Sequence, residues 1–225
     1  MWPVRLCRRR ASAPTGSCTR WKCRAWLAGD PPCQAGERAA TRGEVIGAEA
    51  LIRWQQPERG LLPPIEFLPH LHGSPLEQLF GEWVIKTALN QIETWCRLGL
   101  EMKVSVNISA NHLLQADFCS YLAQALARHA DIRPALLELE VLETAAIDDM
   151  QQAVDILQCC RNLGVKFSLD DFGTGYSSLA YLRKLPVDTL KIDQSFVRDM
   201  LTNPDDLSIV HGGIELAAAF HRRGR

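Results

Sequence analysis

The chain is predicted to be an α/β protein on three observations: β-rich segments alternating with helical patterns, well-marked helix ends, and an acid or amide near the end of every β-rich segment. Five strands are expected, at 44–52, 103–109, 136–142, 165–170 and 188–193. Strands alternating with helices imply repeated βαβ units and a largely parallel sheet, buried on both faces. A TIM-like barrel and a doubly wound sheet both fit this pattern.

The clearest helix begins at Ser74-Pro75-Leu76-Glu77. There an N-cap serine, a proline at the first helical position and a capping-box glutamate coincide. Leu76, Leu79, Phe80, Trp83, Val84, Ile92 and Trp95 fall near one face, and Gly99 stops the helix. Further helices are expected at about 117–129, at 148–163 with Gly164 as the stop, at about 176–185, and from Asn203-Pro204 onward.

With 225 residues, 47% of them hydrophobic and 23% charged, and a formal net charge of -1, the bulk is read as one soluble globular domain. Nothing in that balance draws in a DNA or RNA polymer or an anionic membrane. No apolar run approaches the roughly 20 residues that span a bilayer. Cys96, Cys119, Cys159 and Cys160 lie in helical patterns and read as small buried apolar residues in a reducing, cytoplasmic compartment.

Residues 1–42 differ from the rest. They hold nine arginines and lysines against Asp30 and Glu37, and no period of 2 or 3.6 runs through them. The start, MWPVRLCRRR, lacks the apolar stretch of a secretory signal. The spacing of Cys18, Cys23 and Cys33 contains no CxxC pair, which argues against zinc. The segment is expected to be a disordered or non-native leader, with the folded domain spanning 43–225.

The run VIGAEALIRW places one carboxylate, Glu49, in an apolar strand, and burying it ionised requires a partner or a metal. Glu49, Asn107, Glu143, Asp170 with Asp171, and Asp193 each lie near a strand end, and Lys191 is on the last strand. In parallel α/β folds the working groups gather at the carboxyl ends of strands. Hard oxygen ligands suit Mg²⁺, Mn²⁺ or Ca²⁺ rather than zinc. Two such ions bridged by Asp170 or Asp171 would suit phosphodiester hydrolysis. Each residue alone also has a plainer role: turn caps for Asp170 and Asp171, a turn amide for Asn107, a helix acid for Glu143, a solvated charge for Lys191, and a Glu58 partner for Arg53.

GAEALIRW, VNISANHLL, LELEVLET, FSLDDFGTGYSSLAYLRKLPVDTLKID and QSFV resemble, in words and in order, the EAL domain family of cyclic di-GMP phosphodiesterases over about residues 43–220. The resemblance implies a TIM-like barrel and hydrolysis of cyclic di-GMP to linear pGpG with Mg²⁺ or Mn²⁺. It implies Glu49, Asn107, Glu143, Asp170 and Asp171 as metal ligands, with Asp193 supporting the metal site. Lys191 would orient or help deprotonate the attacking water, and Arg53 would hold a substrate phosphate. The loop DFGTGYSSL would join the site to a homodimer interface.

The chain departs from the family at both ends. The family's first strand, carrying a YQP-like segment, is not recognisable before GAEAL. The last two strands, with AEGVE-like and QGY-like words, are not found before the end at HRRGR. The expectation is therefore an incomplete barrel with open edges. Three functions follow: a metal-dependent phosphodiesterase, a degenerate domain acting as a cyclic di-GMP receptor or protein-interaction module, and a gene fragment without a stable fold.

Overall fold

In a computed structural model, residues 18–19, 22–27, 45–142, 150–174 and 179–224 are described. The strands are β1 (Cys18–Thr19), β2 (Lys22–Leu27), β3 (Val45–Leu51), β4 (Trp54–Gln56), β5 (Gly60–Leu62), β6 (Lys103–Ile108), β7 (Leu137–Leu142), β8 (Lys166–Phe172), β9 (Thr189–Ile192) and β10 (Arg223–Gly224). The helices are α1 (Leu68–Leu71), α2 (Pro75–Arg97), α3 (Ala110–Leu113), α4 (Phe118–Ala127), α5 (Met150–Asn162), α6 (Leu179–Lys184), α7 (Gln194–Asp199) and α8 (Pro204–Ala219). The main sheet runs β10-β9-β8-β7-β6-β3-β2. From β3 to β10 all neighbours are parallel, and β2 pairs antiparallel with β3. The result is an α/β fold in which the parallel strands form an open arc of a TIM-like barrel.

All five expected strands form within a residue or two of their predicted limits. Their two faces are unlike. Val104, Val106 and Ile108 of β6, Leu137, Leu139 and Val141 of β7, and Phe167 and Leu169 of β8 are buried in one core with Val84, Ile85, Ala88, Leu89 and Ile92 of α2. The alternate residues are Ser105 and Asn107, Glu138 and Glu140, Ser168 and Asp170, and Thr189 and Lys191. Side chains two apart share a face of a strand. One face is therefore apolar against the helices, while the other is polar and still mostly buried. Both faces of the sheet are covered as expected, but only one of them is apolar.

The middle of the polar face is satisfied around Glu138, although the buried Ser168 Oγ has no hydrogen-bond partner. Glu138, 1% exposed, accepts from Lys103 Nζ at 3.1 Å, Ser105 Oγ at 3.0 Å and Thr189 Oγ1 at 3.3 Å. A buried carboxylate needs that degree of pairing.

Several local expectations are corrected. Ser74 does not cap α2 with its side chain; its Oγ donates to the Leu71 carbonyl. Glu77 instead accepts from the Gly73 N–H at 2.8 Å and from Asn111 Nδ2 at 3.0 Å. Leu76 and Leu79 are exposed, at 57% and 60%. A 23-residue helix is about 35 Å long, against roughly 20 Å for a six-residue strand, so the first turns of α2 overhang the sheet. Cys119 and Cys159 are not separate thiols: they form a disulfide between α4 and α5, with Cα atoms 6.2 Å apart. Cys96 and Cys160 remain free, and burial pushes the Cys160 thiol up to about 12. Cys159 faces Cys119 because its neighbour Cys160 takes the inward position on the same helix.

The barrel's edges also differ from expectation. Lys22–Leu27, where no periodicity is visible, lies antiparallel to β3 in the place implied for a first strand, without a YQP-like word. Arg223–Gly224 extends the parallel sheet beyond β9. Among the described residues no helix is long and apolar enough to cross a membrane.

α2 and α3 meet at a tight contact. His112 is buried and packs edge-on to Phe118, with ring centroids 5.0 Å apart. A Cβ added at Gly81 would lie 2.0 Å from His112 Nδ1. Gly81→Ala should therefore lower stability in urea denaturation by roughly 1–3 kcal/mol, although alanine gains roughly 1 kcal/mol in helix propensity. A stabilised variant would show that the imidazole moves freely.

Candidate functional site

The inward-facing polar residues of the strands converge at their carboxyl ends. Glu49 is on β3, Asn107 on β6, Asp170 and Asp171 on β8, Lys191 on β9, and Asp193 follows β9 as the N-cap of α7. Asn107 lies in register with Glu140 of β7, and its Nδ2 is 3.4 Å from Glu49 Oε1. Lys191 Nζ is 2.7 Å from Glu140 Oε2 and 3.4 Å from Asp170 Oδ1. Five strands thus bring Glu49, Asn107, Glu140, Asp170 and Lys191 together, with Asp171 and Asp193 at the rim.

Asp171 is set apart by the backbone. Its φ of 56° is in the left-handed region, and the β8–β9 register shifts between Leu169 and Phe172. Aspartate tolerates that region better than most residues. The Asp171 carbonyl accepts from the Thr174 N–H at 3.3 Å and from Thr174 Oγ1 at 2.8 Å. The expected turn into DFGTG is therefore present, with the Asp171 carbonyl bonded to Thr174, while the Asp170 carboxylate faces Lys191 and that of Asp171 meets Asp193. Asp193 accepts from the Ser195 N–H at 2.8 Å and from the Ser195 hydroxyl, and these bonds hold its carboxyl below the usual range. Asp171 is pushed the other way, by burial first and then by the charges of Asp170 and Asp193.

The electrostatics centre on Glu140 and Lys191. Burial raises the Glu140 pKa to about 7 against the pull of Lys191, with Asp170 and Glu49 adding to the rise. Burial opposes the charge of Lys191, but Glu140, Asp170 and Glu49 outweigh it and hold the ammonium above its ordinary pKa. One lysine therefore faces a cluster of carboxylates that it cannot neutralise alone. Arg53, two residues past β3, donates from Nη1 to the Ile52 carbonyl at 2.6 Å. It has no acid partner among the described residues, so the alternative pairing with Glu58 is not formed.

Glu140 is missed when only strand ends are read. LELEVLE offers Glu138, Glu140 and Glu143, and the last of these stands nearest the turn. Period-2 parity adds Glu140 as a candidate, because Glu138 and Glu140 share the polar face and their strand neighbours are Ser105 and Asn107. Glu143 lies outside the described residues, as do residues 175–178 of the DFGTGYSSL loop.

The donor set fits a divalent cation in kind. Carboxylate and amide oxygens are what Mg²⁺ and Mn²⁺ take, and the buried Glu140, raised first by burial and then by the charges of Asp170 and Glu49, stands among them. In the arrangement described, with Lys191 between Glu140 and Asp170, no three acids, histidines or cysteines among the described residues close around one point.

Residues 38–223 match the model of the EAL domain family. The chain is 39% identical over 180 residues to the cyclic di-GMP phosphodiesterase PdeR of Escherichia coli K12, covering 80% of this chain and 27% of that protein. It is 40% identical over 178 residues to the bifunctional diguanylate cyclase/cyclic di-GMP phosphodiesterase MucR of Pseudomonas aeruginosa, covering 79% of this chain and 26% of that protein. The chain thus spans about a quarter of the length of these curated relatives. Among solved structures, the MucR phosphodiesterase in its c-di-GMP complex superposes with a TM-score of 0.76 at 38% identity, over 81% of this chain and 74% of that one. The FimX EAL domain from Pseudomonas aeruginosa bound to c-di-GMP gives a TM-score of 0.71 at 25% identity, over 79% and 71%.

Lys191→Met should leave Glu140 buried without its cation and cost about 3 kcal/mol at pH 8. Glu140's folded pKa lies above its unfolded value, so its ionised form is the costly one and the deficit grows as pH rises through about 7. Urea denaturation at pH 5 and pH 8 should show the smaller loss at pH 5. Equal losses at both would mean that Glu140 is not the group left unpaired.

Proposed function

The chain belongs to the EAL domain family, and from that premise we propose that its acid cluster hydrolyses one phosphodiester bond of cyclic di-GMP to give linear pGpG, with Mg²⁺ or Mn²⁺ as cofactor. The observation that carries this is the convergence of Glu49, Asn107, Glu140, Asp170 and Lys191 at one end of the sheet. A receptor needs groups that grip the ligand. It has no need of a buried lysine held between two carboxylates.

Glu49, Asn107, Glu140, Asp170 and Asp171 are the residues that would hold the cation, with Glu143 as a further candidate from the family pattern. A bound divalent ion would supply charge to the phosphate oxygens and make its water more acidic. Asp193, fixed by Ser195, orients Asp171. Lys191 directs its N–H donors at Glu140 and Asp170, and a remaining donor would orient the attacking water. Arg53, free of any carboxylate, can turn its planar fork onto a nonbridging phosphate oxygen pair. Water adds to phosphorus as the ribose 3′-oxygen leaves and takes up a proton. The DFGTGYSSL loop would join two copies, as the family pattern implies.

The test is to incubate the chain with cyclic di-GMP and Mn²⁺ and follow linear pGpG by chromatography, with Glu49→Ala alongside. Product should form and fall by at least about 100-fold in the variant, beyond the loss typical of an outer-shell partner. Cyclic di-GMP bound but intact would favour the receptor, and turnover unchanged in Glu49→Ala would misplace the site.

A further inference from the structure

At the opposite, amino-terminal end of the sheet lies a cavity of about 480 Å³, within the size range of small-molecule sites. Lys103 at its wall and Asn107 in the acid cluster are four residues apart on β6, which is about 13 Å. The two sites therefore do not overlap.

The cavity is lined by Lys103, Arg161, Lys166, Arg222 and Arg223, with Asp188 as the acid among them. Asp188 Oδ1 takes Lys166 Nζ at 2.9 Å and Arg161 Nη2 at 3.3 Å, and Lys103 is paired with Glu138 at 3.1 Å. Two carboxylates thus pair with three of the five cations. Arg222 and Arg223 have no carboxylate partner among the described residues. Arg222 Nη2 donates to the Leu185 carbonyl at 2.5 Å, and its guanidinium lies over the Phe220 ring at 5.5 Å. Its Nη1 is buried without any hydrogen-bond partner. Burial, with the charge of Arg161 beside it, holds the Arg222 pKa below its usual value.

A purely structural ion cluster accounts for Lys103, Lys166 and Arg161, each of which has an acid. It does not account for two further arginines in the same wall, one with a buried idle donor, since an unmet buried donor on a charged group is costly. We propose that this cavity binds a small phosphate-bearing anion, which is neutralised by Arg222, Arg223, Arg161 and Lys166 in its wall. A phosphate matches the guanidinium fork and can take several charge-assisted hydrogen bonds at once.

The probe is inorganic pyrophosphate, titrated calorimetrically into the full chain at low ionic strength without divalent cations, so that the acid cluster repels the ligand. Saturable one-to-one binding is expected, weakened at least about tenfold in Arg161→Gln and in Lys166→Gln. Arg222→Gln should do the same; because Arg222 also holds the Leu185 carbonyl, the exposed Arg223→Gln serves as the second variant if that one does not fold. Absence of saturable binding, or binding that survives the Arg161, Lys166 and Arg223 substitutions, would overturn the proposal.

Discussion

Lys191 and Glu140, 2.7 Å apart on the polar face of the sheet and reaching across β8, set the terms for the rest of the molecule. Neither charge could be buried alone, since removing one partner of such a pair costs several kcal/mol. The pair obliges β7 and β9 to turn the same parity of residues inward on either side of β8. That parity then delivers Asn107 and Asp170 to the same place through the strand register. The chemistry of the site and the pleat of the sheet are thus one constraint.

The polar face is ordered by charge along the strands. Lys103 and Lys166 begin β6 and β8, and Asn107 and Asp170 stand near their ends. Glu138 and Thr189 share a hydrogen-bonded layer between, while Ser105 and Ser168 keep that layer small enough to stay closed. One end of the sheet therefore gathers carboxylates and the other gathers cations. Field and fold agree, because each end then attracts what the other repels.

Much of this was legible from residues alone. Strand limits followed from β-rich runs alternating with helical patterns, and the words around Glu49, Asn107, Asp170 and Lys191 carried the family. The parity of β7 adds Glu140, which lies on the polar face, while Glu143 falls outside the described residues. Other features depend on contacts that no local pattern encodes. The Cys119–Cys159 disulfide joins helices through residues 40 apart, and the idle donor of Arg222 arises only when the residues after α8 meet the segment leading into β9. Glu77 looked like half of a capping box, yet tertiary contact with Asn111 and the Gly73 N–H claimed its carboxylate instead.

On the proposed reading, the carboxylates at the strand ends form one site that takes a divalent cation. Calorimetric titration of the chain with Mn²⁺, set beside Glu140→Gln, tests it most directly. Saturable Mn²⁺ binding that weakens at least about tenfold in the variant is the result the account predicts. Mn²⁺ binding that is absent, or indifferent to Glu140, would contradict it.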